Sequence, residues 1–175
     1  SLAHFNKCNE KMKSMHLPVA AFISSNSEGT YGPWPVNEGL CTLEMHRGLP
    51  MDFQARHLFA TGMVDDVLVA NAYASDEELK ACAAVNPSIL TFGLVLEKEL
   101  TEIEQKILDY GPKHVVRGDM SEYMIRSTWP RVTFADAPVP AANTRDLKRG
   151  DVVILNDGYL KYKGELHIVL KDMPN

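Results

Sequence analysis

The 175-residue sequence has no excess of basic charge, no long apolar run, no cysteine framework and no cluster of metal-binding residues, and each absence removes a class of function. With 18 Lys and Arg against 23 Asp and Glu, the formal charge is −5, so no positive field is available to condense onto phosphate backbones or an anionic leaflet. Nucleic acid and membrane surfaces are therefore not expected partners. No apolar stretch reaches the roughly 18 residues that span a bilayer. The three cysteines, Cys8, Cys41 and Cys82, are odd in number and widely spaced. That pattern fits neither a disulfide scaffold nor a zinc site, and it suits a reducing compartment. The histidines His4, His16, His57, His114 and His167 share no metal-ligand spacing. Internal repeats and low-complexity segments are also missing.

What is present is a hydrophobic content of 45%, enough for one or two modest cores. Phe5, Cys8, Met12 and Met15 recur at helical spacing between lysines, which predicts an amphipathic helix closed by Pro18. Val19 to Ile23 is a short continuous apolar run ending in Ser24-Ser25-Asn26, the pattern of a strand buried on both faces in a parallel sheet. A Gly/Pro/Ser/Asn-rich segment from Ser27 to Gly48 is long for a connection in a compact domain, which marks it as a functional loop or lid. Pro50 in a first turn, the stripe Met51, Ala55, Leu58 and Phe59, and Gly62 as a C-terminal cap predict a second helix. Val67 to Ala70 repeats the buried-strand pattern, and Ser75-x-x-Glu78 is a capping box opening a helix over 76–84. Strand, loop, helix, strand, helix is a βαβα unit, whose crossover requires parallel strands. Two strands this apolar need further sheet around them.

Asn86-Pro87 reads as a boundary. Beyond it, Ile89 to Leu96 reads as a strand, and Thr101-x-x-Glu104 is a second capping box, opening a helix that stops at Gly111-Pro112. Short strands are expected at Tyr123 to Arg126, Arg131 to Phe134, Asp151 to Leu155, Tyr159 to Tyr162 and Glu165 to Leu170, with Asn156-Asp157-Gly158 as a hairpin turn. Several short strands around one helix predict a compact β barrel or sandwich.

Several motifs in order resemble one family. Gly32-Pro33-Trp34-Pro35-Val36-x-Glu38-Gly39-Leu40, Thr42-Leu43-Glu44-x-His46-Arg47 and Val64-Asp65-Asp66-Val67 running to Asn71-Ala72-Tyr73-Ala74-Ser75 are similar to the 6-phospho-N-acetylmuramidase family. So are Arg117-Gly118-Asp119-x-Ser121-Glu122-Tyr123-Met124-Ile125-Arg126-Ser127-Thr128, Lys148-Arg149-Gly150-Asp151-Val152 and Tyr162-x-Gly164-Glu165-Leu166. The resemblance implies an α/β plus β architecture. Residues 1–86 would be strands seven and eight of a (β/α)8 (TIM) barrel with their helices, and 88–175 a cyclophilin-like β-barrel domain. On this reading the chain is the C-terminal half of a longer protein. The implied activity is cytoplasmic hydrolysis of a MurNAc-6-phosphate glycoside, such as MurNAc-6-phosphate-GlcNAc, in cell-wall recycling. A rival expectation is a non-catalytic cyclophilin-like ligand-binding or regulatory module attached to a barrel.

Glycoside hydrolysis uses two carboxyl groups, one of them held neutral to act as the acid, and in a (β/α)8 barrel they stand on the loops after the strands. Glu38 and Glu44 are the carboxylates of the long loop; each is either catalytic or a turn cap or surface partner of Arg47. His46 and Arg47 either bind substrate or pin the loop, and Trp34 either stacks on a sugar or plugs the loop. Asn71 and Tyr73 complete the expected substrate contacts. Phosphate recognition falls to Ser24, Ser25 and Asn26, with Asn71 beside them, or to Arg117 and Arg126; the alternative for the arginines is pairing with Asp119 and Glu122. The expected partner is a phosphorylated amino-sugar disaccharide, homo-oligomerisation is open, and no metal or organic cofactor is implied.

Overall fold

The structure is a computed structural model and describes residues 1–32, 39–111, 113–119 and 121–174. It divides into two compact units, Ser1–Gly93 and Leu94–Asn175.

In the first unit, helix α1 (Leu2–Ser14) is capped by the Ser1 hydroxyl, which accepts from the His4 N–H. Strand β1 (Ala20–Ile23) is followed by the long loop, a 3-10 turn (Glu44–His46) and helix α2 (Met51–Ala60). Strand β2 (Asp66–Val69) then leads to helix α3 (Asp76–Ala83), whose Ser75/Glu78 capping box is formed in both directions. Pro50 is the residue before α2 rather than inside its first turn, and Gly62 follows the helix at φ +68°, a conformation that favours glycine. β1 and β2 pair in parallel, Ala20 with Asp66 through Ile23 with Val69. Ala21 and Ile23 point into a core of Val19, Leu43, Met51, Ala55, Leu58 and Val64. Because side chains alternate along a strand, Phe22 and its partner Leu68 share the other face, where each is 47% exposed. The expectation of strands buried on both faces is thus corrected: among the described residues one face is packed and the other is about half exposed.

In the second unit, helix α4 (Glu102–Leu108) carries the Thr101/Glu104 capping box and ends before Gly111 at φ +63°. Strand β3 (Met124–Ser127), helix α5 (Trp129–Thr133), strand β4 (Val152–Ile154) and strand β5 (Leu166–Val169) follow. The strands form an antiparallel sheet in the order β3-β5-β4. Ile107, Val139 and Leu166 are its buried centre, with Ile103, Leu108, Phe134, Val152 and Ile154 packed around them.

Three expected strands are absent. Residues 89–96 form no strand, and Leu90, Phe92, Leu94, Val95 and Leu96 are exposed. Residues 131–134 fall in or just after α5, because Pro130 fixes φ in its first turn and starts a helix that the β-branched Val132 and Thr133 do not prevent. Residues 159–162 lie in a 3-10 turn (Asp157–Tyr162). There the Asn156 side chain accepts from the Gly158 N–H at 2.9 Å, so the side chain closes the turn and displaces the expected Asn156-Asp157-Gly158 hairpin turn. The hairpin that forms instead is wider, joining β4 to β5 through Leu155 N–H to Glu165 C=O at 3.0 Å and Gly164 N–H to Leu155 C=O at 2.8 Å.

Candidate functional site

The C-terminal ends of the parallel pair are finished by side chains rather than by further ladder. Backbone groups leaving β1 at Ser24 need partners because they are buried. Gln54, fully buried on α2, supplies both: its Oε1 accepts from Ser24 N–H at 2.9 Å and its Nε2 donates to Ser24 C=O at 2.8 Å. Asn71, just beyond β2, does the same for Ser25, with 2.9 Å to the N–H and 3.0 Å to the C=O. Glu78 on α3 takes the next position, accepting from the Ser25 hydroxyl, from Asn26 N–H at 3.0 Å and from the Ser27 hydroxyl at 2.6 Å. Burial of the Glu78 carboxyl opposes its ionisation, but hydrogen bonds from Ser25, Ser27, Asn26 and Ser75 outweigh it and lower its pKa.

The long loop returns over this rim. Gly39 lies so close that a Cβ there would overlap the Ser24 Cβ and stand 3.0 Å from Asn71 Oδ1. Tyr31 and Ala72 exchange backbone hydrogen bonds of 3.2 and 2.8 Å. Tyr73, the following residue, adopts φ +66° and leaves its side chain 79% exposed. A bulky residue held in this conformation stores strain, which is a feature of rims that present a side chain.

The expected site residues do not all gather there. Ser24, Ser25, Asn26, Asn71 and Tyr73 do; Trp34 and Glu38 lie outside the described residues. Glu44 is exposed on the 3-10 turn and pairs with Arg47, Nε to Oε1 at 2.5 Å and Nη2 to Oε2 at 2.8 Å. The hydrogen bond from Arg47 lowers the Glu44 pKa, so its carboxyl is ionised at neutral pH. Arg47 also donates to Gly39 C=O at 3.3 Å, tying turn to loop. His46 requires a correction: it is 0% exposed, and its Nε2 lies 2.8 Å from His57 Nδ1, so its ring belongs to the core and not to a ligand surface.

In the second unit, Arg117 pairs with Asp119 at 2.6 Å, as internal pairing would have it, whereas Glu122 pairs with Lys171. Arg126 pairs with neither expected carboxylate but with Glu165, at 2.9 Å. Glu165 is fully buried, forms a second ion pair with Arg131 at 2.9 Å and accepts from His167 at 2.8 Å. Burial lowers the His167 pKa, against the opposing pull of Glu165, so the ring is neutral at pH 7. Among the described residues no group of three or more His, Cys, Asp or Glu is arranged to hold a metal ion.

Two residues of the strand-end rim carry signals that sequence reasoning passed over. Gln54 is a polar residue on the apolar stripe of α2, which calls for a buried hydrogen-bonding role. Glu78 is legible as a cap, but its reach to Ser25 and Ser27 depends on two strand ends meeting one helix start. Glu165 and His167 give no such signal, since their partners are up to 39 residues away.

Comparison with known proteins places these features in a family. Residues 1–84 match the family model described as "6-phospho-N-acetylmuramidase, N-terminal", and residues 90–175 match "6-phospho-N-acetylmuramidase, C-terminal". No curated protein matches the chain. A crystal structure of an uncharacterized B. cereus protein is 44% identical over 99% of this chain and 49% of its own, with a TM-score of 0.88. A crystal structure of a conserved protein from a locus in Enterococcus faecalis, of unknown function, is 25% identical over 98% of this chain and 45% of its own, with a TM-score of 0.61. The chain thus spans about half the length of both solved structures. It matches both the N-terminal and the C-terminal family model, so the expectation that it is only the family's C-terminal half is not carried by these matches. The chain belongs to the 6-phospho-N-acetylmuramidase family.

Proposed function

We propose that this chain is part of a phosphosugar glycosidase that hydrolyses MurNAc-6-phosphate glycosides, such as MurNAc-6-phosphate-GlcNAc, in the cytoplasm. On this reading β1 and β2 are strands seven and eight of a (β/α)8 barrel, and the second unit is a cyclophilin-like domain. The observation that supports it is the polar rim at the C-terminal ends of a parallel pair, where Gln54, Asn71 and Glu78 hold Ser24 to Ser27 in one arrangement. In barrels of this type the chemistry occupies that end, on loops positioned by rigid strands.

The two carboxyl roles are not equally open to Glu44. A general acid must stay protonated near neutral pH, and a carboxyl ionised by Arg47 does not. The role left to it is nucleophile or base, which requires Arg47 to release it; Glu38 or a carboxyl elsewhere in a longer chain supplies the acid. The test is to express a longer family chain containing this sequence and to measure GlcNAc release from MurNAc-6-phosphate-GlcNAc and from its unphosphorylated counterpart. Release from the phosphorylated disaccharide is expected. Release from neither sinks the reading.

A second reading, a non-catalytic ligand-binding module, is favoured by the Arg126, Arg131, Glu165 and His167 cluster, which is complete within the second unit. A disaccharide that binds the longer chain and is never cleaved would be its signature.

A further inference from the structure

A buried carboxylate ordinarily takes one cationic partner, and Glu165 has two. Its Oε2 accepts from Arg126 Nε at 3.2 Å, Arg126 Nη2 at 2.9 Å and His167 Nε2 at 2.8 Å, and its Oε1 accepts from Arg126 Nη2 at 3.3 Å and forms an ion pair with Arg131 Nη1 at 2.9 Å. Two guanidiniums against one carboxylate leave one positive charge, and the His167 ring, neutral at pH 7, adds none. Lys161 adds another, its ammonium 5.2 Å from the centre of the Tyr162 ring, against which Arg126 and Arg131 also rest, each 5.7 Å away. The guanidiniums retain unused donors: Arg126 Nη1 and Arg131 Nε and Nη2 make no hydrogen bond to a described residue.

The backbone is bent to bring these groups together. Gly164, at φ +81°, lies so close to α5 that a Cβ there would stand 3.3 Å from the Arg131 Cα. Leu160 is held at φ 48° and ψ −112° with its side chain 81% exposed, so no burial of Leu160 itself accounts for the strain. What the kink does achieve is placement: the Lys161 C=O accepts from Arg131 Nη1 at 3.2 Å, and Tyr162 comes under both guanidiniums. A structural ion pair needs neither the second arginine nor the lysine, and gathering three like charges without a ligand is unfavourable.

We propose that Arg126, Arg131 and Lys161, oriented by Glu165 and Tyr162, form a phosphomonoester-binding site in the second unit. The surplus of two positive charges matches a phosphate dianion, and planar forks with an ammonium at the same Tyr162 ring suit its three free oxygens. The rival position at the strand-end rim is poorly suited, because its N–H and hydroxyl donors at Ser25, Asn26 and Ser27 already serve the Glu78 carboxylate. The inference rests on the glycosidase reading for the sugar that carries the phosphate, not for the anion site.

The test is titration of this chain with glucose 6-phosphate at low ionic strength, followed by calorimetry and amide chemical shifts. Saturable binding is expected, with the shifts centred on residues 126, 131 and 161–165, and with glucose silent. Arg131→Gln weakens it by about tenfold or more and Arg131→Lys restores it only in part, since a lysine loses the fork. Lys161→Ala weakens it by about threefold, a rim-type contribution. Lys106→Ala, on α4 and paired with Glu102, has no effect. Arg131→Gln is preferred to an Arg126 variant because Arg126 makes most of the bonds to buried Glu165, and a thermal melt verifies that the variant is folded. The site assignment is overturned by absence of saturable binding, by affinity unchanged in both Arg131→Gln and Lys161→Ala, or by shifts centred on Ser24 to Asn26. Equal displacement by acetate would make it a carboxylate site and also overturn the assignment. Binding that obeys these expectations while a longer chain fails to cleave the phosphorylated disaccharide would sink the glycosidase reading alone.

Discussion

His46 and His57 share one proton between two rings, and its place follows from burial. If His57 Nδ1 donated to His46 Nε2, the buried His46 Nδ1, which has no partner among the described residues, would carry an unsatisfied N–H. With His46 Nε2–H donating to His57 Nδ1, only a lone pair is left bare, the cheaper of the two. His57→Ala removes that acceptor and is expected to destabilise the first unit by about 1–3 kcal/mol in urea unfolding. Burial first, then the charge on His57, pushes the His46 pKa down to about 4 from an ordinary 6.5. The folded pKa is depressed, so the unfolded chain binds the proton that the folded chain excludes. The stability this contributes is complete above pH 6.5 and is drawn down as pH falls towards 4, by about 3 kcal/mol in all. Urea melts at pH 7 and pH 4.5 should differ accordingly, and the His46→Met variant should flatten that difference; an equal slope in both proteins would remove His46 as its cause. Gly39 is a residue whose smallness is required. Gly39→Ala drives a methyl into Ser24 and Asn71, and is expected to cost about 1–3 kcal/mol, as other overpacked sites do.

At the scale of the element, α3 is started by a residue that also ends β1. Glu78 accepts from Ser75 N–H at 3.3 Å as the reciprocal half of the capping box, and the same carboxylate gathers Ser25, Asn26 and Ser27. In Glu78→Gln one oxygen becomes an amide nitrogen that cannot accept, leaving donors unpaired. A loss of about 1–3 kcal/mol is expected, together with faster hydrogen exchange at the Asn26 amide; unchanged exchange would show that Glu78 does not hold the rim. The capping boxes, the two helices they open and the parallel pairing of β1 with β2 were legible because each rests on neighbours in sequence or on a short apolar run. The segment at 89–96 was misread because apolar content cannot distinguish a paired strand from an unpaired one. At 131–134 one proline outweighed β propensity, and at 159–162 an asparagine side chain did. The rim residues Ser24, Ser25 and Asn71 were legible from their places after apolar strands, whereas Glu165 depends on pairings that only the folded sheet creates.

For the whole molecule, the open face of the parallel pair decides what kind of object the first unit is. Phe22 and Leu68 are register partners on that face, both 47% exposed, while the opposite face packs on the core. Two neighbouring large apolar side chains that are each about half exposed gain only part of a full burial, so Phe22→Ser with Leu68→Ser is expected to lower the unfolding free energy of this chain by only about 1 kcal/mol per site. The same pair should lower binding of a hydrophobic dye and any self-association, because the apolar patch is what such contacts use. If the barrel reading holds, those side chains are interior in a longer chain. The double substitution there should then cost about 3–5 kcal/mol for Phe22 alone, by loss of burial and the cavity left behind. Thermal melts of the two proteins with and without the substitutions measure both numbers. A large loss in this chain would mean that the face is packed already, and a small loss in the longer one would mean that no closed sheet covers it.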